Sequence, residues 1–199
     1  KWLRESLSLP DEFLEALHEG SRSTRIENAD DRLVAVINDV LYDFSFGASD
    51  ISTMWVSVDR HMVLTARRKP LRSIDRLRAS VNKGTSFGSP VELLEHLLSD
   101  QGDVLVQIVR DATDKVDGIE DTLLADRLDV GRVNLGALRR VLVRLRRLLA
   151  PEPAALFRLL NHPPEWMAED DLQELRQATE QFSTVLADMA GLLERIKLL

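Results

Sequence analysis

Cysteine is absent from the 199 residues. That excludes disulfides, thiolate metal sites and cysteine nucleophiles, and it suits a reducing compartment. No apolar run approaches the roughly 18 residues needed to span a bilayer. Lys1–Gly20 carries charges throughout and lacks the continuous apolar segment of a signal peptide, so none is expected there. The P-loop, the dinucleotide-binding glycine fingerprint and the GxSxG elbow are all missing. Gly84-Thr85-Ser86-Phe87-Gly88 has the glycines of a phosphate loop, but it follows a helical pattern where such a loop would follow a strand. The histidines, His18, His61, His96 and His162, lack the i, i+4 spacing of a helical zinc pair. With no catalytic constellation, the chain reads as scaffold or sensor and not as an enzyme.

What is present is charge and helical periodicity. Hydrophobic residues make up 44% and charged residues 30%, the composition of a globular protein with much helix surface. The net charge of -7 argues against nucleic acid as the main partner and is mildly permissive for cations.

The first part of the chain reads as mixed α and β. Pro10 followed by DEFLEALHEG predicts a short helix with Gly20 after its end. Thr24–Asn28, Arg32–Asn38, Ile51–Val58 and His61–Ala66 read as strands, the last two joined tightly enough to form a hairpin. Ala29-Asp30-Asp31 is the expected turn between the first two strands. A helix follows from Pro70 to about Asn82.

Ser89-Pro90 starts a much longer helix, with Ser as cap and Pro at the first position. Its stripe is Leu94, Leu98, Leu105, Ile108, Ala112, Val116, Ile119 and Leu123. Gly131 is the expected turn. A second long helix carries Leu135, Leu138, Val141, Leu142, Leu145, Leu148 and Leu149, with Pro151 and Pro153 expected to kink or break it. Pro163-Pro164 marks another break, where Trp166 is expected as a packing anchor. Glu169-Asp170-Asp171 then opens the last helix at its positive dipole end. In that helix Phe182, Val185, Met189, Leu192, Ile196 and Leu199 keep heptad spacing to the final residue, so the helix is expected to continue past Leu199. The fold class is α+β: a small mixed sheet with flanking helices, packed against very long stalk helices. The expected division is an α/β subdomain over 1–88 and a long-helix stalk over 89–199.

Two charged faces stand out. Within the acidic segment Asp111–Asp126, Asp114, Asp117, Glu120 and Asp121 share one arc opposite the apolar stripe. Carboxylate faces of this kind suit hard divalent cations, but one helix cannot build a closed cage, so a metal site here would need a second helix or a neighbouring subunit. A solvated helix face accounts for the same pattern. Arg139, Arg140, Arg144, Arg146 and Arg147 form the converse face on the second long helix. An anion or nucleic-acid site is one reading; in an acidic chain the expected role is counter-charge to acidic helices of the same stalk.

The run MWVSVDRHMVLTARRKPLRSIDRLRASVNKG from Met54, then SPVELLEHLL from Ser89, resembles the cytoplasmic domain of the CorA-like divalent-cation transporters. In that family a strand hairpin ending near T-x-R-x-x-P-L leads to a short helix and then to an S-P-x-x-L-L start of a long one. Thr65, Arg67, Pro70 and Leu71, then Ser89, Pro90, Leu93 and Leu94, stand at those positions. The later RRVLVRLRRLLAPEPAALFRLL and PPEWMAEDDLQELRQATEQFSTVLADMAGLLERIKLL are similar to the ZntB zinc-transporter branch.

The resemblance implies a homopentameric funnel on the cytoplasmic side of a bacterial inner membrane, its last helix running into transmembrane helices outside this chain. It also implies zinc or magnesium as transported or regulatory ion, no organic cofactor and no nucleic-acid partner. The family's Gly-Met-Asn signature is absent, so no selectivity residue carries over. Under this reading Asp114, Asp117, Glu120 and Asp121 are the expected intersubunit metal contacts. A coiled-coil interaction module with no transport role is the alternative.

Overall fold

A computed structural model of the chain describes residues 7, 9–20, 24–29, 31–47, 49–124 and 128–199. The order is α1 (Asp11–Glu19), β1 (Arg25–Ala29), β2 (Arg32–Val40), β3 (Ile51–Val58), β4 (Val63–Arg67), α2 (Arg72–Asn82), α3 (Pro90–Leu124), α4 (Leu128–Leu149), α5 (Pro151–Asn161) and α6 (Glu169–Leu198). The strands lie side by side in chain order, and every pairing is antiparallel, with Val36 opposite Trp55 and Val58 opposite Val63. The β3–β4 turn is held by Asp59, whose Oδ1 accepts the N–H groups of His61 (2.7 Å) and Met62 (2.9 Å). Asp30, in the expected β1–β2 turn, lies outside the described residues.

Both faces of the sheet are covered, which explains why β2 is an almost unbroken apolar run. Leu33, Ala35 and Ile37 join Met54 and Val56 under α2, α5 and the first turns of α3. Val34, Val36 and Trp55 face the other way and pack with Phe13 and Ala16 of α1.

The long helices meet the sequence expectation closely. Ser89 Oγ accepts the Glu92 N–H at 2.9 Å, and the Glu92 carboxylate accepts the Gly88 N–H, so α3 begins with reciprocal capping. Val91, Leu94, Leu97 and Leu98 at its start belong to the sheet core. Leu105 and Ile108 continue into a bundle with α4 and α6, as do Ala112 and Val116. One helix therefore serves two cores. On α6, Phe182, Val185, Met189, Leu192 and Ile196 are all buried and Leu199 is not. No turn interrupts that helix between Glu169 and Leu198.

One break differs from its expected place. Gly131, expected as a turn, lies inside α4. An interior glycine costs about 1 kcal/mol relative to alanine, less than burying leucines such as Leu135 and Leu138 on the same helix returns. The prolines act as expected: α4 ends at Leu149, Pro151 starts α5, and the chain breaks again at Pro163-Pro164. Beside that break Trp166 packs onto the sheet core.

Candidate functional site

Asp114, Asp117 and Asp121 are exposed on α3, and Glu120 is partly covered. Two of these four are already engaged. Arg195 of α6 donates through Nε to Glu120 Oε1 at 2.9 Å and through Nη2 to Asp117 Oδ1 at 2.6 Å, with a further contact to Glu120 Oε2. The Glu120 and Asp117 carboxylates hold the guanidinium proton more tightly than usual. Asp114 and Asp121 make no hydrogen bond or ion pair among the described residues. Asp114 borders a shallow groove with Asp111, Lys115 and Phe46, in which the Lys115 ammonium sits 5.0 Å from the Phe46 ring centroid. Among the described residues no three His, Asp or Glu side chains are grouped so as to hold a metal within one chain. A single subunit thus presents two open carboxylates and two bridged ones.

The arginine face of α4 meets the counter-charge expected of it only at long range. Arg139, Arg140, Arg144, Arg146 and Arg147 form no ion pair within 4.0 Å among the described residues. Glu194 on α6 feels Arg146 and Arg139 only from farther away; its proton affinity is lowered chiefly by the hydrogen bond from Lys197, at 2.6 Å. Among the described residues the arginines therefore meet stalk carboxylates only at long range.

A third group was not legible as a site. At the end of β2, Asp39 is buried with Oδ2 accepting from the Ser73 hydroxyl and N–H and Oδ1 accepting from the Val40 N–H. Burial pushes its carboxyl up to about 6, against the opposing pull of those hydrogen bonds. Glu152, between the two prolines of α5, is also fully buried. Burial, reinforced by the Asp39 charge, pushes it up to about 8. Gln101 of α3 joins the two neighbourhoods, its Nε2 donating to the Asn38 carbonyl at 2.8 Å and to Glu152 Oε2 at 3.4 Å. Glu152 Oε1 has no hydrogen-bond partner among the described residues. Near neutral pH, therefore, Glu152 is mainly a neutral acid and Asp39 mainly an anion. The only sequence signal was an Asn-Asp pair closing an apolar strand and a glutamate between prolines.

The histidines stay apart. His18 bonds its own helix at the Leu14 carbonyl (2.7 Å), and His96 lies edge-on to Phe87. No helix among the described residues is long and apolar enough to cross a membrane.

Against this geometry the comparisons are consistent with one another. The family model described as "CorA-like Mg2+ transporter protein" matches residues 1–199. The zinc transport protein ZntB of Yersinia pseudotuberculosis is 23% identical over 199 residues, covering 100% of this chain and 61% of that protein. The structure of the full-length CmaX protein superposes with a TM-score of 0.86 at 23% identity, over 99% of this chain and 61% of that one. The ZntB cytoplasmic domain from Vibrio parahaemolyticus superposes with a TM-score of 0.72 at 14% identity, over 98% of this chain and 80% of that one. The fold is shared, and the chain spans about 61% of the length of the curated relative it matches.

Proposed function

The chain belongs to the CorA-like Mg2+ transporter family, and we propose that it forms the cytoplasmic domain of a bacterial divalent-cation transporter. In this reading residues 1–88 are an α/β unit and residues 89–199 a stalk. Five copies form a funnel, and α6 leads toward membrane-spanning segments in the inner membrane. Zinc or magnesium is the cargo and also the regulatory ion, and no covalent chemistry is assigned to the domain. The observation that carries the reading is α6 itself, 30 residues without a break, clamped lengthwise to α3. A helix of that kind passes a displacement along its axis and does not absorb it.

Regulation would act through the Arg195 clamp. A divalent ion entering between subunits meets Asp114 and Asp121 open, and competes with Arg195 for Asp117 and Glu120. Exchange of a guanidinium for a metal at those carboxylates releases α6 from α3, and the population of tilted stalks changes accordingly.

Two measurements test this. The reading frame after Leu199 should encode two apolar segments of about 20 residues; a further polar domain in their place removes the transport reading. The full protein in liposomes should take up Zn²⁺ or Mg²⁺, and changing Asp114, Asp117, Glu120 and Asp121 together to their amides should alter how uptake responds to internal cation. An unaltered response takes the regulatory site away from this face.

A further inference from the structure

Where the end of α4 meets β2 there is a cleft of about 360 Å³ whose charged lining among the described residues is cationic: Arg68 and Lys69 after β4 and Arg144 and Arg147 from α4, with no Asp or Glu among them. A second groove of about 320 Å³ on the same helix shares Arg144 and Arg147 and adds Arg139 and Arg140. Six cations thus form one band on a chain whose net charge is -7. Like charges held this close repel one another, and the chain's own carboxylates answer them only from a distance, Asp50 acting on Lys69 and Glu194 on Arg139 with no ion pair within 4.0 Å among the described residues. The near one, Asp50, is taken by the N–H groups of Ser45 (2.9 Å) and Gly47 (2.8 Å).

The cleft also holds donors that lack acceptors. Among the described residues Arg144 Nε and the indole Nε1 of Trp55 are both buried without a hydrogen-bond partner, and both residues line the cleft. Trp55 is only 3% exposed, so water does not compensate its N–H. A buried polar group left unpaired costs about 1–3 kcal/mol, and a guanidinium such as that of Arg144, short of acceptors and set beside three further cations, is a ready partner for an acceptor-rich ligand. Arg68 is already placed. Its guanidinium lies over the Trp55 ring, 5.8 Å from the centroid, and within van der Waals reach of a Cβ at Gly20, whose φ of 66° suits glycine.

The geometry points to this cleft as a binding site for a small phosphate-bearing anion. Planar guanidinium forks match phosphate oxygens in pairs, a wall without carboxylates suits a multiply charged acceptor, and the volume lies at the lower end of small-ligand pockets. The recognised chemistry is a di- or triphosphate, free or carried on a nucleoside. The buried Trp55 offers no open face for base stacking, so the phosphates supply the contacts. This site lies apart from the carboxylates of α3 and stands whether or not the chain assembles as a funnel.

The test titrates the chain with inorganic pyrophosphate, and separately with ADP, at constant ionic strength without divalent cations, followed by calorimetry. One saturable site per chain is expected. Arg144→Gln and Arg147→Gln should each weaken it about tenfold or more, the loss of one charge-assisted bond. Arg158→Gln on α5, exposed and outside the cleft, should not. Arg147 is itself exposed, so its variant keeps its fold even if Arg144→Gln does not. Equal affinity for the two probes supports recognition of free phosphate, and tighter ADP binding supports a nucleotide source. Absence of saturable binding overturns the proposal, as does binding untouched by Arg147→Gln. It is also overturned if pyrophosphate fails to bind while Arg147→Gln changes the sedimentation of the chain, for the band then pairs with acidic residues of a second copy.

Discussion

Arg195 and Glu120 stand 75 residues apart in sequence, yet the guanidinium of one closes on both carboxylate oxygens of the other. The contact ties the far end of α6 to the far end of α3, alongside the last turns of the shared apolar core, where Ile196 and Ile119 pack. It also answers the acidity of α3 from within the chain, in competition with any metal.

Arg195→Gln should therefore raise the affinity of the chain for Mg²⁺ or Zn²⁺ by freeing Asp117 and Glu120. Calorimetric titration of both forms checks it. An affinity that is unchanged or lower would show that the bridged carboxylates are not where the cation binds.

Stability should fall as pH rises from the acid side toward about 8. The folded state raises Asp39 from 3.8 to about 6 and Glu152 from 4.5 to about 8, so between those values it holds protons that the unfolded chain has lost. Each proton so held makes unfolding easier by about 1.4 kcal/mol for every pH unit climbed, and its contribution is fully present only below the unfolded value. Glu152→Gln should flatten the curve above pH 6 and stabilise the protein at pH 8, by thermal or urea denaturation. A parent curve that is already flat between pH 6 and 8 would mean that Glu152 titrates normally.

The seam of α6 should be strongly graded. Met189 is fully buried between α3 and α4, and Met189→Ala should cost about 2–5 kcal/mol in urea unfolding. Leu199 holds the same heptad phase but is 43% exposed, and Leu199→Ala should fall within about 0.5 kcal/mol of the parent. Equal costs at the two positions would contradict this packing.

Assembly of the chain should be weak and dependent on cations. Acidic stalk faces repel at low ionic strength, and a divalent ion bridging carboxylates of two subunits should act at far lower concentration than a monovalent salt. Sedimentation at graded Mg²⁺ and NaCl distinguishes the two. A tight dimer indifferent to both would favour an interaction module over a funnel.

Local rules carried most of the fold. Ser89-Pro90 announces a capped helix, the seam from Phe182 to Ile196 announces its long partner, and the short connection after Val58 announces a hairpin, because in each case the controlling contact lies within a few residues. Gly131 misled for the complementary reason: its preference for a turn is a local term, and burial of leucines brought in by the fold outweighs it. The two other misses are non-local altogether. Arg195 sits one place before a seam residue and reads as an ordinary surface charge until α3 is laid beside it. Glu152 reads as an exposed acid at a helix start until the sheet closes over it. The arginines of α4 were visible as a face, but whether any carboxylate reached them depended on every other pairing in the stalk.

The 35-residue helix α3 enters both cores, and Gln101, held between Asn38 and Glu152, sits about a third of the way along it. At 1.5 Å per residue, the arm from Gln101 to Leu124 is about 35 Å long. A rotation of about 5° about that point, small enough for side chains at the sheet end to follow without exchanging partners, sweeps the distant tip through about 3 Å. At Glu120, about 28 Å along that arm, the displacement is about 2.5 Å, which added to a hydrogen bond carries it well past bonding distance, so a modest torque at the polar interior is enough to undo the clamp near the other end of the lever.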